Sequence, residues 1–310
     1  MKTAFLYAGQ GAQTTGMGRD LYEKYPSFAA IYDAADRVKP GLKSIIFENK
    51  DDALTRTENT QPALVAFAIG VTMLLGEKHI YPDVTLGLSL GEYSALYGAS
   101  AFSVESALKA VAFRGEAMRK AGEGGTWGMS AVLGLEAEKL EAVCRQAGCY
   151  PTNYNCPGQI VISGEKDKVD EAGELAKEAG ARRVMPLHVS GPFHTPYMKS
   201  AGDALAEYLP GAEIKPLRCP VLFNATGDDG GVAPMTDQKD KIVDLLVRQV
   251  QNPVRMEKSL TSLLQEGYDH FIEIGPGKTL SGFVKKCAKP LGSSDYTVKA
   301  LNTVEDVGGL

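Results

Sequence analysis

A chain of 310 residues with a net charge of −5 has room for one large α/β domain or two unequal ones, and its acidic balance argues against wholesale nucleic-acid binding. Its 44% hydrophobic and 23% charged residues suit a soluble enzyme. No uninterrupted apolar run approaches the ~20 residues of a membrane span, and Met1-Lys2-Thr3 leads straight into a strand rather than a secretory signal, so a cytoplasmic protein is expected. Cys144, Cys149, Cys156, Cys219 and Cys287 show no Cys-x-x-Cys spacing, and His79, His188, His194 and His270 show no zinc-ligand spacing. Free thiols and no metal are expected.

Thr3-Ala4-Phe5-Leu6-Tyr7 reads as a buried strand, with Gly9-Gln10-Gly11-Ala12-Gln13 as the loop behind it. That loop lacks the third glycine of a dinucleotide fingerprint and the Gly-Lys-Ser/Thr of a phosphate loop. It is better suited to offer a backbone N–H, at Gln10, to a site elsewhere. Over 18–36 the apolar residues Leu21, Tyr22, Tyr25, Phe28, Ile31 and Tyr32 recur at helical spacing and read as core. A short apolar stretch, 42–47, follows. Thr60-Gln61-Pro62 places proline in the first turn of a helix over 63–75, apolar nearly all round and therefore buried against a sheet.

At 84–91 a short β-branched run meets Gly-x-Ser-x-Gly, and the helix formers Glu92, Ala95 and Leu96 follow at once. This is the sequence form of a nucleophile elbow with Ser89 at its tip. Gly87 and Gly91 lack Cβ atoms where neighbouring backbone must pass close, and N–H groups at the start of the next helix point at the serine oxygen. Ser103-Val104-Glu105-Ser106 caps a helix running to about Ala121. Arg114 lies inside it beside Ala112, Phe113 and Gly115, outside any charge run. Such an arginine requires an anionic partner, either a carboxylate of the fold or a ligand.

Ala121-Gly122-Glu123-Gly124-Gly125 is the clearest composition break. Beyond it strands at 127–133, 149–155, 159–164 and 182–186 interleave with helices at 136–146 and 166–179, the βαββαβ order of a ferredoxin-like unit. The expected fold is α/β: a large α/β-hydrolase-like domain with a parallel sheet, residues 1–124 and 188–310, carrying an inserted ferredoxin-like domain, residues 125–187, with a cleft between them.

His194, in the Gly/Pro-punctuated loop where the chain returns, is the candidate base. His188 reads as structural, and His79 and His270 as solvated turn residues. Residues 220–224 give a late strand, 239–250 and 256–265 helices, and 268–274 the last main strand, closed by Gly275-Pro276-Gly277. A helix over 279–287 follows, and the tail is expected to fray after Glu305. Serine and histidine suffice for acyl transfer. No aspartate stands out between them, which leaves a backbone carbonyl or a side-chain amide to orient the imidazole.

These blocks fall in one order: Gly9-Gln10-Gly11-Ala12-Gln13, Thr60-Gln61-Pro62-Ala63-Leu64, Gly87-Leu88-Ser89-Leu90-Gly91-Glu92, Arg114-Gly115, Asn155-Cys156-Pro157-Gly158-Gln159, Gly191-Pro192-Phe193-His194, Gln249-Val250-Gln251-Asn252-Pro253 and Glu273-Ile274-Gly275-Pro276-Gly277. Over essentially its whole length the chain resembles the malonyl-CoA:acyl carrier protein transacylases of dissociated fatty-acid synthesis. The resemblance implies transfer of a malonyl group from coenzyme A to the phosphopantetheine thiol of holo acyl carrier protein through a seryl ester, a ping-pong reaction that supplies extender units for fatty acid biosynthesis. It gives Ser89 the role of nucleophile, His194 that of base and Arg114 that of partner to the malonyl carboxylate. Gln10 and Leu90 would supply oxyanion-hole N–H groups, and the Gln249 carbonyl would orient His194. Malonyl-CoA is then a substrate; no permanently bound cofactor, no metal, no nucleic-acid or membrane partner and a monomeric chain are expected. The alternatives are a thioester hydrolase or a polyketide-pathway acyltransferase of the same fold.

Phe193 resembles the malonyl-selecting form of its loop, whereas Leu88 stands where that family usually has histidine. An acidic carrier calls for a local basic patch on this net-negative chain. Lys285, Lys286 and Lys289, or Arg182 and Arg183, are the candidates.

Overall fold

The computed structural model describes residues 1–187 and 191–310; His188, expected above to be structural, lies outside them. The strands are β1 (Thr3–Tyr7), β2 (Val84–Gly87), β3 (Trp127–Leu133), β4 (Tyr150–Cys156), β5 (Gln159–Glu165), β6 (Arg183–Leu187), β7 (Val221–Leu222), β8 (His270–Ile274) and β9 (Thr297–Leu301). Every residue of β1 and β2 is buried, as parallel strands covered on both faces require. They sit inside a five-stranded parallel sheet of order β7-β2-β1-β8-β9. Tyr7 of β1 lies opposite Gly87 of β2, so the loops leaving both carboxyl ends, Gln10 on one and Ser89 on the other, emerge side by side. Open α/β sheets bind ligands at that edge.

The second sheet is antiparallel, of order β4-β5-β3-β6. Its side chains alternate: Val132, Ile160 and Ile162 pack under the helices Ala137–Ala147 and Lys166–Glu178. Met129, Ala131 and Val161, on the other face, join the core of the large sheet's side. The period of two thus gives this sheet one face for its own helices and one for the main body. The cysteines are free thiols, and Cys144, Cys149, Cys156 and Cys287 are buried.

Several sequence expectations need correction. The 18–36 segment forms two helices, Arg19–Lys24 and Pro26–Val38, because Pro26 holds Tyr25 extended; their aromatics still form core with Phe47 and Phe67. The helix assigned to 63–75 spans Thr57–Glu77. Its early start is held by Asn59 Nδ2 donating to the Ala53 carbonyl (2.9 Å) and Thr60 Oγ1 to that of Leu54 (2.5 Å), so Pro62 falls in the second turn. This helix is long and apolar enough to cross a membrane by length and composition, with a mean hydropathy of 1.3. It is instead the central core helix, with 83% of its most apolar window buried. The late strand is only Val221–Leu222, and β8 is not the last strand: β9 pairs with it in parallel at the sheet edge. His270 opens β8 and bonds Thr297 of β9 through Nδ1 (2.5 Å), rather than standing in a turn. The helix begun at Thr279 continues to Leu291. The tail does not fray at 305: Thr303 and Asp306 form a capping box for a helix, Val304–Gly308.

Candidate active site

The elbow is built as its glycines demand. A Cβ on Gly87 would lie 2.0 Å from the Gly91 carbonyl carbon, and one on Gly91 would lie 2.4 Å from the Tyr7 carbonyl oxygen. β2 can therefore turn into the helix Gly91–Gly98 hard against β1 only with hydrogen at both positions. Between them Ser89 adopts φ 55°, a left-handed conformation that costs a side-chain-bearing residue about 1–2 kcal/mol. His194 is held likewise, at φ 61°, and its N–H donates to the Val250 carbonyl (3.1 Å).

The two strained residues meet. Ser89 Oγ lies 2.7 Å from His194 Nε2, and His194 Nδ1 lies 2.8 Å from the Gln249 carbonyl oxygen. With Nδ1–H donating to that carbonyl, Nε2 is left as the acceptor facing the hydroxyl. His194 is 4% exposed. Burial first, and the Arg114 charge second, push its pKa down to about 4, so the imidazole is neutral and able to take a proton at pH 7.

Arg114, on the helix Val104–Ala121, is 1% exposed. The sequence left open whether its partner is a carboxylate of the fold, and among the described residues it has none. Its Nη1 donates to Gln61 Oε1 (2.6 Å), and its Nη2 to Gln249 Oε1 (2.8 Å) and to Ser89 Oγ (3.1 Å), while Nε is unpartnered. Burial lowers its pKa, yet a guanidinium stays charged in a protein. A full positive charge therefore sits on neutral amides beside the serine, and an anion that reached it would gain a charge-assisted pair.

Gln10 connects to the same network through its side chain. Its Oε1 accepts from Thr57 Oγ1 (2.8 Å), and Thr57 accepts from Gln61 Nε2 (2.8 Å). The backbone N–H groups of Gln10 and Leu90 donate to no protein acceptor among the described residues. Leu90 immediately precedes the helix Gly91–Gly98, at the end where free N–H groups are expected. A cavity of about 280 Å³ opens over these groups. Gln10, Leu88, Ser89, Arg114, Phe193 and His194 line it from the large sheet's side; Met129, Val161 and Asn155 line it from the small sheet. Leu88 presents an apolar wall there. Lys285, Lys286 and Lys289 are exposed, as are Arg182 and Arg183, and Lys286 Nζ reaches Gln159 (2.9 Å), itself part of the cavity wall.

The sequence places Gln61 at a helix start and Asn224 at the end of the 220–224 strand without giving either a task. The signal for Gln61 was a polar side chain in an otherwise apolar helix. For Asn224 there was none, because its partners Gly87 and Ser89 are brought to it only by the pairing of β2 with β7.

Residues 4–303 match the acyl transferase domain family, and the chain belongs to that family. Among curated relatives, the malonyl CoA-acyl carrier protein transacylase of Bacillus subtilis is 46% identical, covering 94% of this chain and 92% of its own. Of solved structures, an acyl carrier protein S-malonyltransferase from Vibrio cholerae superposes with a TM-score of 0.90 at 37% identity, covering 100% of this chain and 99% of its own. A malonyl-transacylase solved in complex with its type II polyketide acyl-carrier protein gives 0.91 at 34% identity, covering 99% and 98%.

Proposed function

We propose that this chain moves a malonyl group from coenzyme A to the phosphopantetheine thiol of an acyl carrier protein, supplying extender units for fatty acid biosynthesis. The observation that carries the reading is the buried Arg114 charge, matched by no carboxylate among the described residues and in contact with Ser89 Oγ. The relatives named above, including one caught with its carrier, support the same substrates.

His194 Nε2 takes the proton as Ser89 Oγ attacks the thioester carbonyl, a step such a base typically accelerates about 10²–10⁴-fold. The oxyanion rests on the N–H groups of Gln10 and Leu90, each worth on the order of 3 kcal/mol. As the tetrahedral adduct collapses, the C–S bond breaks and the proton on His194 passes to the coenzyme A sulfur. The carrier's thiol then enters, gives its proton to His194 and reverses the sequence. Arg114 holds the free malonyl carboxylate throughout, and the Gln249 carbonyl keeps the imidazole tautomer fixed. Residues 125–187 serve as a lid-like domain over the cleft, and basic residues near its rim, Lys286 foremost, meet the acidic carrier. Under this reading the enzyme is a cytoplasmic monomer. Incubation with malonyl-CoA and holo carrier tests it: malonyl-carrier should accumulate, and free malonate without malonyl-carrier would refute it.

A further inference from the structure

The Ser89 peptide is gripped at both ends by side chains that lie far away in sequence. Asn224, in the turn after β7, accepts the Ser89 N–H at Oδ1 (2.6 Å) and donates Nδ2 to the Gly87 carbonyl (2.7 Å). Gln249 Nε2 donates to the Ser89 carbonyl (2.8 Å). Asn224 is itself fixed, because its N–H donates to Glu92 Oε2 (2.6 Å) and its carbonyl accepts from Arg255 N–H (3.0 Å). Asn224 and Glu92 are 2% and 0% exposed, and neither belongs to the cavity wall.

A left-handed serine persists only where its surroundings over-determine it. We infer that Asn224 and Glu92 are positioning residues for acyl transfer, clamping the Ser89 turn in the one conformation that keeps Oγ within 2.7 Å of His194 Nε2. This rests on the acyl transfer proposed above. Since neither side chain reaches the cavity, their influence passes to the substrate through Ser89 rather than through direct contact.

Glu92 Oε1 has no partner among the described residues, so Oε2 alone holds the Asn224 N–H.

The test compares wild type with Asn224→Ala, Asn224→Asp, Glu92→Gln and Glu92→Ala, measuring the rate of ester formation at Ser89 and the KM for malonyl-CoA. Asn224→Ala should slow acylation by about tenfold or more while KM stays within about twofold, since Arg114 and the cavity are untouched. Asn224→Asp keeps the acceptor for Ser89 N–H but turns the Gly87 contact repulsive; it should show the same split and serves if the alanine variant fails to fold. Glu92→Gln keeps an oxygen for the Asn224 N–H and should acylate near the wild-type rate, whereas Glu92→Ala removes it and should reproduce the split of the Asn224 variants. Wild-type acylation rates in both Asn224 variants or in Glu92→Ala, or a loss appearing only as raised KM, would overturn the inference alone. A wild-type chain that forms no ester on Ser89 would overturn the proposed function and this inference with it.

Discussion

The His194 Nδ1 nitrogen is oriented by a backbone carbonyl, that of Gln249, at 2.8 Å, where a carboxylate often stands in serine enzymes. The choice fits the neighbourhood: a carboxylate at that point would neutralise Arg114, whose charge depresses the His194 pKa and whose hydrogen bonds, among the described residues, go to amides and the Ser89 hydroxyl.

That arrangement fixes the pH dependence. With the His194 pKa lowered to about 4, chiefly by burial and then by Arg114, the acid limb of kcat/KM for malonyl-CoA should fall near pH 4, well below the usual histidine value of about 6.5. Arg114→Ala removes the second cause and should move the limb upward. The unfolded chain protonates this histidine first, so its linkage lowers stability as pH drops through that window. A pH–rate profile of both proteins checks this, and a limb near 6.5 in wild type contradicts it.

Arg114→Ala should also reduce malonyl transfer by about 100-fold, on the order of 3 kcal/mol for a lost buried charge pair. Discrimination against acetyl-CoA should relax at the same time. Competition between the two thioesters, followed by mass spectrometry, reads both effects. Intact malonyl preference in the variant would place the carboxylate clamp elsewhere.

Gln249→Ala removes two contacts at once, the side-chain donor to the Ser89 carbonyl and the acceptor for Arg114, while leaving its own carbonyl to hold His194. We expect kcat to fall by roughly tenfold, with the acid limb of the pH profile unmoved, because the imidazole keeps its partner.

Glu92 is a fully buried carboxyl whose pKa is raised to about 8. The folded state holds its proton longer than the unfolded chain does, so stability is complete below about pH 4.5 and declines as pH rises toward 8. Glu92→Gln should flatten that decline, as seen in thermal midpoints across this range. A parallel decline in both proteins contradicts the assignment.

Legibility in the sequence followed the range of the interactions. The elbow could be read because its causes are local: two glycines and a serine within five positions, a β-branched run before and helix formers after. The small sheet could be read because the Gly-rich break at 121–125 is followed by short strand and helix segments in βαββαβ order. β9 was missed because its burial pattern, exposed at alternate positions, belongs to an edge strand defined by pairing with β8. The extra turns of the Thr57–Glu77 helix were missed because they are anchored by side chains that bond the preceding loop, a contact that no spacing rule registers. The identity of the group orienting His194 was open in the residues alone, since a backbone carbonyl leaves no side-chain trace. Only the resemblance pointed to Gln249.

The most direct test of the central claim is to incubate the protein with malonyl-CoA, digest it and locate the adduct. A malonyl ester on Ser89, formed far more readily than an acetyl ester and discharged on to holo acyl carrier protein, is the predicted result. A label on any other residue, or none that the carrier can remove, would contradict it.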